Sequence, residues 1–204
     1  MLIIIDYNGG NAKSIANALK KLNVEFAISS EFNLIKSATR LILPGVSNFS
    51  HCMKELKKKN LDQILYEEIL YKKKPFLGIC SGMQVLATTS EEGDAKGLNL
   101  IPGKVIKLIK KKTLPVPHMG WNRVEKIRDD VINQIENFTR FYFCHSFHFV
   151  PDNPEHILMT VNYGAKICCG IKKENIYGIQ FHPEKSQDAG LFILKSFSKI
   201  TIKS

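Results

Sequence analysis

An apolar run passes directly into a helical pattern at PFLGICSGMQVLA, residues 75–87. Glycines precede and follow Cys80, so the backbone can fold back tightly on both sides of this thiol. A strand that turns sharply into a helix at such a residue is typical of a nucleophile elbow, which exposes the Cys80 sulfur above a sheet. The helix amino terminus beneath the sulfur favours the thiolate over the thiol.

A second motif, FHPEKS at residues 181–186, offers a base and a carboxylate. A predicted strand delivers His182 at its end, and Pro183 stops the strand there. Glu184 follows closely enough to hydrogen-bond the imidazole. Cysteine, histidine and glutamate are the three parts of an activated thiol nucleophile, so these motifs predict a Cys80–His182–Glu184 triad.

A thiolate that attacks a carbonyl also needs donors for the oxyanion. The backbone N–H of Ser81 is the natural first donor, since this residue follows the nucleophile. The loop PGVS, residues 44–47, ends another predicted strand and is the candidate for the second donor.

The bulk composition predicts one soluble globular domain over residues 1–204, with 44% hydrophobic and 24% charged residues. No apolar run approaches the roughly 20 residues of a membrane span, and MLIIID at the start is typical of a buried strand rather than a signal peptide. We therefore expect a cytoplasmic protein with no membrane partner. The five cysteines form no CxxC pair, so neither a disulfide framework nor a metal site is expected, and no motif indicates a cofactor.

The net charge is +10, and lysines cluster at residues 57–59, 72–74 and 110–112. No nucleic-acid motif accompanies them, so no nucleic-acid partner is expected. Solvated helix ends and loops explain such clusters. A phosphate-bearing substrate or an acidic protein partner is the alternative explanation.

Strands alternate with helices in the first half, and strands predominate in the second. We predict an α/β fold, an open and mostly parallel sheet flanked by helices, with antiparallel additions. The predicted strands are Leu2–Ile5, Val24–Ile28, Arg40–Leu43, Pro75–Ile79, Lys104–Ile109, Trp121–Glu125, Thr139–Cys144, His156–Val161, Lys166–Ile171 and Ile176–Phe181. The predicted helices are Ala12–Leu22, Cys52–Lys58, Leu61–Tyr71, one beginning at Met83–Ala87, and Ala189–Phe197.

The motifs GICSGMQ and FHPEKS together resemble those of class I glutamine amidotransferases, which have a flavodoxin-like fold. Further segments are similar, in order, to the glutaminase subunit of imidazole glycerol phosphate synthase of histidine biosynthesis. These segments are IDYNGGN at 5–11, LPGV at 43–46, PHMGWN at 117–122, YFCHSF at 142–147 and QFHPEKS at 180–186. The resemblance covers nearly the whole chain, and HMGWN is its most specific part.

The resemblance implies that Cys80 attacks the side-chain amide of L-glutamine and forms a glutamyl thioester, with His182 moving protons and Glu184 holding the imidazole. It further implies that Gly45 and Val46 form an oxyanion strand, which can rest with its N–H turned away. The residues implied to contact glutamine are Gln84, Glu92 (through the α-ammonium group), His145, Ser146 and Phe147.

The family partner is a (β/α)8-barrel cyclase, which forms a heterodimer with the glutaminase and receives its ammonia. The positions implied at that interface are Asn11, Trp121, Tyr142 and Lys185. The chain departs from the family pattern at Ser81, where leucine is usual, and at Ser47, where glycine is usual. A related glutaminase that supplies ammonia for amidination of a surface sugar shares the triad and is the alternative. Further alternatives are a cysteine peptidase and a non-catalytic scaffold subunit.

Overall fold

The computed structural model describes residues 1–111 and 114–201. Its strands, in chain order, are β1 (Leu2–Ile5), β2 (Phe26–Ser29), β3 (Arg40–Leu43), β4 (Phe76–Ile79), β5 (Thr89–Ser90), β6 (Ala95–Lys96), β7 (Gly103–Lys107), β8 (His118–Lys126), β9 (Arg140–His145), β10 (Phe147–Pro151), β11 (Ile157–Asn162), β12 (Lys166–Lys173) and β13 (Ile176–Ile179).

The helices are α1 (Ala12–Lys21), α2 (Phe32–Ser37), α3 (Phe49–Lys58), α4 (Leu61–Tyr66), α5 (Ser81–Gln84) and α6 (Gln187–Phe197). A π-helical turn, Glu67–Tyr71, continues α4. Short 3-10 turns are Val131–Asn133, Pro154–His156 and Pro183–Lys185.

The main sheet has the strand order β2-β1-β3-β4-β13-β12-β11-β8-β9. Its first five strands are parallel. From β13 onward each neighbour is antiparallel. The predicted fold class, a mostly parallel α/β sheet with antiparallel additions, is confirmed.

Helices cover both faces of the parallel strands, because alternate residues of β1 enter different cores. Ile3 and Ile5 pack with α3 and α4, whereas Leu2 and Ile4 pack with α1 and α6. A strand buried on both faces shows an uninterrupted apolar run, as LIII does here.

A smaller sheet, β10-β7-β5-β6, lies beside the main sheet and was not predicted. Its strands β5 and β6 have two residues each, too few for a period-2 pattern to emerge from the sequence.

The helix after the elbow is shorter than expected, because α5 makes only one turn. The carbonyls of Val85, Leu86 and Ala87 instead accept hydrogen bonds from the amides of 98–100, at 2.8–3.0 Å. The apolar residues predicted to continue the helix therefore form a buried bend against the loop at 98–101.

The lysine clusters are only partly solvated. Lys74 is buried, its Nζ 2.5 Å from the Glu68 carboxylate, while Lys73 pairs with Glu174 at the surface. Lys112 lies outside the described residues. Within the described part of the chain all five cysteines are free thiols, and no helix there is long and apolar enough to cross a membrane.

Candidate active site

The backbone turns sharply at Cys80, between the end of β4 and α5. Cys80 has φ 55° and ψ −114°, a strained conformation for a residue with a side chain. A Cβ on Gly78 would lie 2.3 Å from the Gly82 carbonyl oxygen, and one on Gly82 would lie 2.0 Å from the Leu43 oxygen. Glycine is therefore required on both sides of the nucleophile candidate, as the sequence predicted.

Parallel pairing of β4 with β13 brings the second motif to the same edge of the sheet. Ile79 lies opposite Ile179 in the register, and the Cys80 N–H donates to the Ile179 carbonyl at 2.8 Å. Beyond β13 the chain bends, and the His182 N–H donates to the Tyr142 carbonyl at 2.9 Å. The structure thus brings Cys80 and His182 together at adjacent strand ends.

Ser186 fixes this bend, a role that its position at the end of the second motif does not reveal. Its hydroxyl donates to the His182 carbonyl at 2.6 Å and accepts from the Tyr142 N–H at 3.0 Å. The loop that carries His182 is therefore tied to β9 at two points.

Glu184 orients the imidazole. Nδ1 of His182 lies 3.0 Å from Oε1 of Glu184, and only 5% and 3% of the two side chains are exposed. Burial opposes the charged ring, but the interactions with the Cys80 side chain and the Glu184 carboxylate outweigh it and raise the pKa of His182 to about 10. The site therefore stabilises an imidazolium beside the sulfur.

Besides the His182 imidazole, two polar groups lie near the Cys80 sulfur. Sγ lies 3.8 Å from the Cys144 carbonyl, and Nε2 of Gln180 lies 3.7 Å from Sγ. Gln180 was not among the predicted site residues. The period-2 alternation that places Gln180 and His182 on one face of an extended segment was the available signal.

Gln84 links the elbow to the loop between β9 and β10. Its Nε2 donates to the Phe147 carbonyl at 2.8 Å and to Oε1 of Gln180 at 3.0 Å. Nδ1 of His145 lies 2.8 Å from the same Phe147 carbonyl, and the Ser146 carbonyl accepts from Leu108 at 2.9 Å. The predicted substrate-contacting residues Gln84 and His145–Phe147 are thus assembled around one carbonyl near Cys80.

The two predicted oxyanion donors are in different states. Ser81 opens α5, where first-turn N–H groups have no acceptor within the helix. The Val46 N–H instead donates to the Gly9 carbonyl at 3.3 Å. The Val46 N–H is therefore already bonded within the protein.

Both departures from the family pattern lie behind this strand. The hydroxyls of Ser47 and Ser81 are buried next to that of Tyr7. Burial raises the pKa of Tyr7 well above its ordinary range, so this phenol stays protonated.

Glu92 lies at the amino terminus of α3. Its Oε2 accepts from the Phe49 N–H at 2.7 Å, so the carboxylate stabilises the first turn of the helix that follows the predicted oxyanion strand. Glu92 is predicted to contact the α-ammonium group of glutamine, and in this arrangement one of its two carboxylate oxygens already accepts a hydrogen bond.

Three of the four predicted interface residues meet on one surface. Trp121 and Tyr142 are cross-strand partners with ring centroids 6.2 Å apart, and Nζ of Lys185 lies 5.5 Å from the Tyr142 ring. Asn11 caps α1, its Oδ1 accepting from the Ser14 N–H at 3.3 Å.

A cavity of about 740 Å³ lies elsewhere, and Lys73, Arg128, Asp130, Lys172 and Asn175 are among its lining residues. It is at the amino ends of β4 and β13, the opposite edge of the sheet from Cys80. Sites in open α/β sheets lie at the carboxyl ends of strands, so the elbow, and not this cavity, is the candidate active site.

The family model for class I glutamine amidotransferases matches residues 3–199. The chain belongs to this family. Among full-length relatives, imidazole glycerol phosphate synthase subunit HisH of Bdellovibrio bacteriovorus is 40% identical over 207 residues, covering 98% of this chain and 100% of the relative. Subunit HisH 2 of Methanococcus maripaludis is 41% identical, covering 98% and 99%.

Solved structures share the fold of this chain. One, described as a glutamine amidotransferase, superposes with a TM-score of 0.74 at 15% identity, over 95% of this chain and 98% of that one. The structure of PurLQS from Thermotoga maritima has a TM-score of 0.69 at 16% identity, over 96% of each chain.

Proposed function

We propose that this chain is the glutaminase subunit of an imidazole glycerol phosphate synthase, and that residues 1–204 form its single amidotransferase domain. The observation that carries the proposal is the Cys80 elbow beside the buried His182–Glu184 pair, in a chain about 40% identical over its full length to HisH subunits. The reaction is hydrolysis of L-glutamine to glutamate and ammonia in the cytoplasm.

Cys80 attacks the side-chain carbonyl carbon, so an S–C bond forms and the carbonyl oxygen becomes an oxyanion. The N–H of Ser81 stabilises this charge, joined by that of Val46 once it leaves the Gly9 carbonyl. His182, held as an imidazolium, protonates the departing nitrogen, and the C–N bond breaks to release ammonia.

The resulting glutamyl thioester is then hydrolysed. His182, now neutral, removes a proton from the attacking water, and the collapse of the second oxyanion releases glutamate and restores Cys80. Glu184 keeps Nδ1 of His182 occupied, so the other ring nitrogen serves both proton transfers.

The partner in this proposal is a (β/α)8-barrel cyclase, which binds as a heterodimer and receives the ammonia through its central channel. Trp121, Tyr142 and Lys185 form one exposed group at which it can dock. Because the Val46 N–H is engaged with Gly9, partner binding must release this peptide before glutamine is hydrolysed at full rate.

The proposal is tested by measuring ammonia release from glutamine by the purified chain alone, and with the histidine-pathway cyclase of the same cell with and without its ribonucleotide acceptor. We expect low activity alone and stimulation of about a hundredfold or more in the loaded complex, the effect of completing an oxyanion hole. Full activity of the isolated chain would contradict the proposal that partner binding must first release the Val46 peptide. No stimulation would favour the sugar-amidination alternative.

The matched control is Cys80→Ala in the same complex. It should release no ammonia from glutamine and should leave synthesis from added ammonia intact, because the barrel performs that step. Loss of both activities would contradict the division of labour between the subunits.

A further inference from the structure

A continuous hydrogen-bonded path joins the exposed side of β8 to Cys80, and the proposed chemistry makes no use of its outer half. The path begins at Asn122, next to Trp121. Nδ2 of Asn122 donates to the Asn162 carbonyl at 3.1 Å and lies 3.3 Å from Nε2 of His118. Nδ1 of His118 then lies 3.0 Å from Nε2 of His145.

The inner half of the path reaches the nucleophile. From His145 it passes through the Phe147 carbonyl to Gln84, and from Gln84 to Gln180. Nε2 of Gln180 donates to the sulfur of Cys80 at 3.7 Å. Every step is a single hydrogen bond between buried or half-buried groups.

The Phe147 carbonyl, an acceptor, and the Asn122 amide nitrogen, a donor, fix the tautomers of the two rings between them. A carbonyl only accepts, so Nδ1 of His145 carries the proton that bonds Phe147, and Nε2 of His145 must accept. His118 therefore donates from Nδ1, and its Nε2 accepts from the Asn122 amide. Each ring has one donor and one acceptor, and no other assignment satisfies all the bonds.

Both rings are held neutral and in place. Burial lowers the pKa of His118 to about 4 and that of His145 to about 3, and nearby His148 and His182 add to the effect on His145. The His118 ring is stacked between Phe143 and Tyr163, at centroid distances of 4.6 and 4.0 Å. Because the His118 ring is confined in this way, it moves only when β8 moves, and that movement is passed to His145 through their hydrogen bond.

We propose that His118 is a positioning residue. When the partner docks on β8, His118 transmits the displacement to the Phe147 backbone, which contacts glutamine, and through it to Cys80, whose orientation is thereby fixed. The inference rests on the proposed function. Trp121 lies on β8, whereas the glutamine-contacting loop follows β9, and the His118–His145 bond joins the two strands where the loop begins.

The test is His118→Phe, which keeps an aromatic ring between Phe143 and Tyr163 and removes both nitrogens. Loss of the donor leaves Nε2 of His145 buried and unpaired. In the loaded complex we expect the KM for glutamine to rise about tenfold, with ammonia-dependent synthesis unchanged. The matched control is Tyr163→Phe, which removes a neighbouring hydroxyl outside the path and should keep KM within about twofold. An unchanged KM in His118→Phe would overturn the proposal.

A measurement on the wild-type protein keeps the test independent of how the variant folds. Imidazole ¹⁵N chemical shifts between about pH 6 and 8 should show His118 and His145 neutral and protonated at Nδ1. A charged ring, or protonation of His145 at Nε2, would overturn the path. If the wild-type complex releases no ammonia, the proposed function fails, and the nitrogen shifts still decide whether the path exists.

Discussion

At the scale of single residues, Cys80 stores backbone strain at the point where the chemistry is proposed to occur. Its φ of 55° lies in a region that costs a residue with a side chain about 1–3 kcal/mol. The surrounding structure maintains that conformation, because the Cys80 N–H is bonded to Ile179 and both neighbouring glycines are closely packed. The strain holds the sulfur at the turn instead of within the sheet or the helix.

We therefore predict that Cys80→Gly is more stable than Cys80→Ala by about 1 kcal/mol, since glycine adopts this conformation without strain. Urea unfolding of the two inactive variants measures the difference. As a control in α6, Ala189→Gly should be less stable than wild type by about 1 kcal/mol, because glycine is unfavourable within a helix. A more stable alanine variant at position 80 would show that the turn is not strained.

The motifs predicted which residues would reach one edge of the sheet, because Cys80 and His182 each follow a strand in a parallel pair. They could not reveal the contacts of Ser186 or His118, because each also has partners far away in the chain, Tyr142 for Ser186 and His145 for His118. Tyr142 and His182, for example, are joined through the Ser186 hydroxyl by a contact that no local pattern records.

At the scale of elements, the π-helical turn after α4 sets the position of a buried charge pair. The turn Glu67–Tyr71 directs Glu68 inward, where its carboxylate meets Nζ of Lys74 at 2.5 Å. The same ammonium donates to the Ile35 and Lys36 carbonyls. The side chains are only 3% and 7% exposed, so neither charge can be solvated if the other is removed.

We predict that Glu68→Gln destabilises the protein by about 3–5 kcal/mol, because it leaves the Lys74 ammonium buried without a counter-charge. Thermal or urea unfolding measures the loss. The double variant Glu68→Gln/Lys74→Met should recover most of it. A single variant as stable as wild type would indicate that water reaches Lys74.

The bounds of the strands and helices show where the local sequence pattern was sufficient to predict an element. β1 and β3 match the predicted strands, since each contains a short apolar run, LIII or LIL, within an alternating α/β pattern. α5 ended early because the Val85–Ala87 carbonyls found tertiary partners, which override local helical preference. Within the described residues β10 pairs with β7 alone, a partner distant in the chain that no local pattern identifies.

At the scale of the whole molecule, one edge of the sheet gathers the proposed chemistry and its regulation. The predicted oxyanion strand follows β3, the proposed nucleophile follows β4 and the proposed base follows β13, and these strands are neighbours in that order. The antiparallel extension through β8 and β9 then joins the base to the exposed group of Trp121, Tyr142 and Lys185. A partner that docks there contacts the strands that support both His182 and the glutamine loop.

The charge held on His182 should also appear in the pH dependence of global stability. Its pKa is raised from the ordinary 6.5 to about 10, so between these values the folded chain binds a proton that the unfolded chain has lost. The stabilisation is complete below pH 6.5 and is lost as the pH rises toward 10. Removing the Glu184 carboxylate, which stabilises the imidazolium, must therefore make the loss of stability with rising pH less steep.

We predict that wild type loses stability between about pH 7 and 10 more steeply than Glu184→Gln, whose side chain has the same shape without the charge. The gap between the two unfolding free energies should narrow by about 1.4 kcal/mol for every unit by which the substitution lowers the His182 pKa. Urea unfolding of both proteins across this range measures it, and titration of the surface lysines cancels in the comparison. Parallel curves would mean that Glu184 orients a neutral ring, and the proton for the leaving ammonia would then have to come from another group.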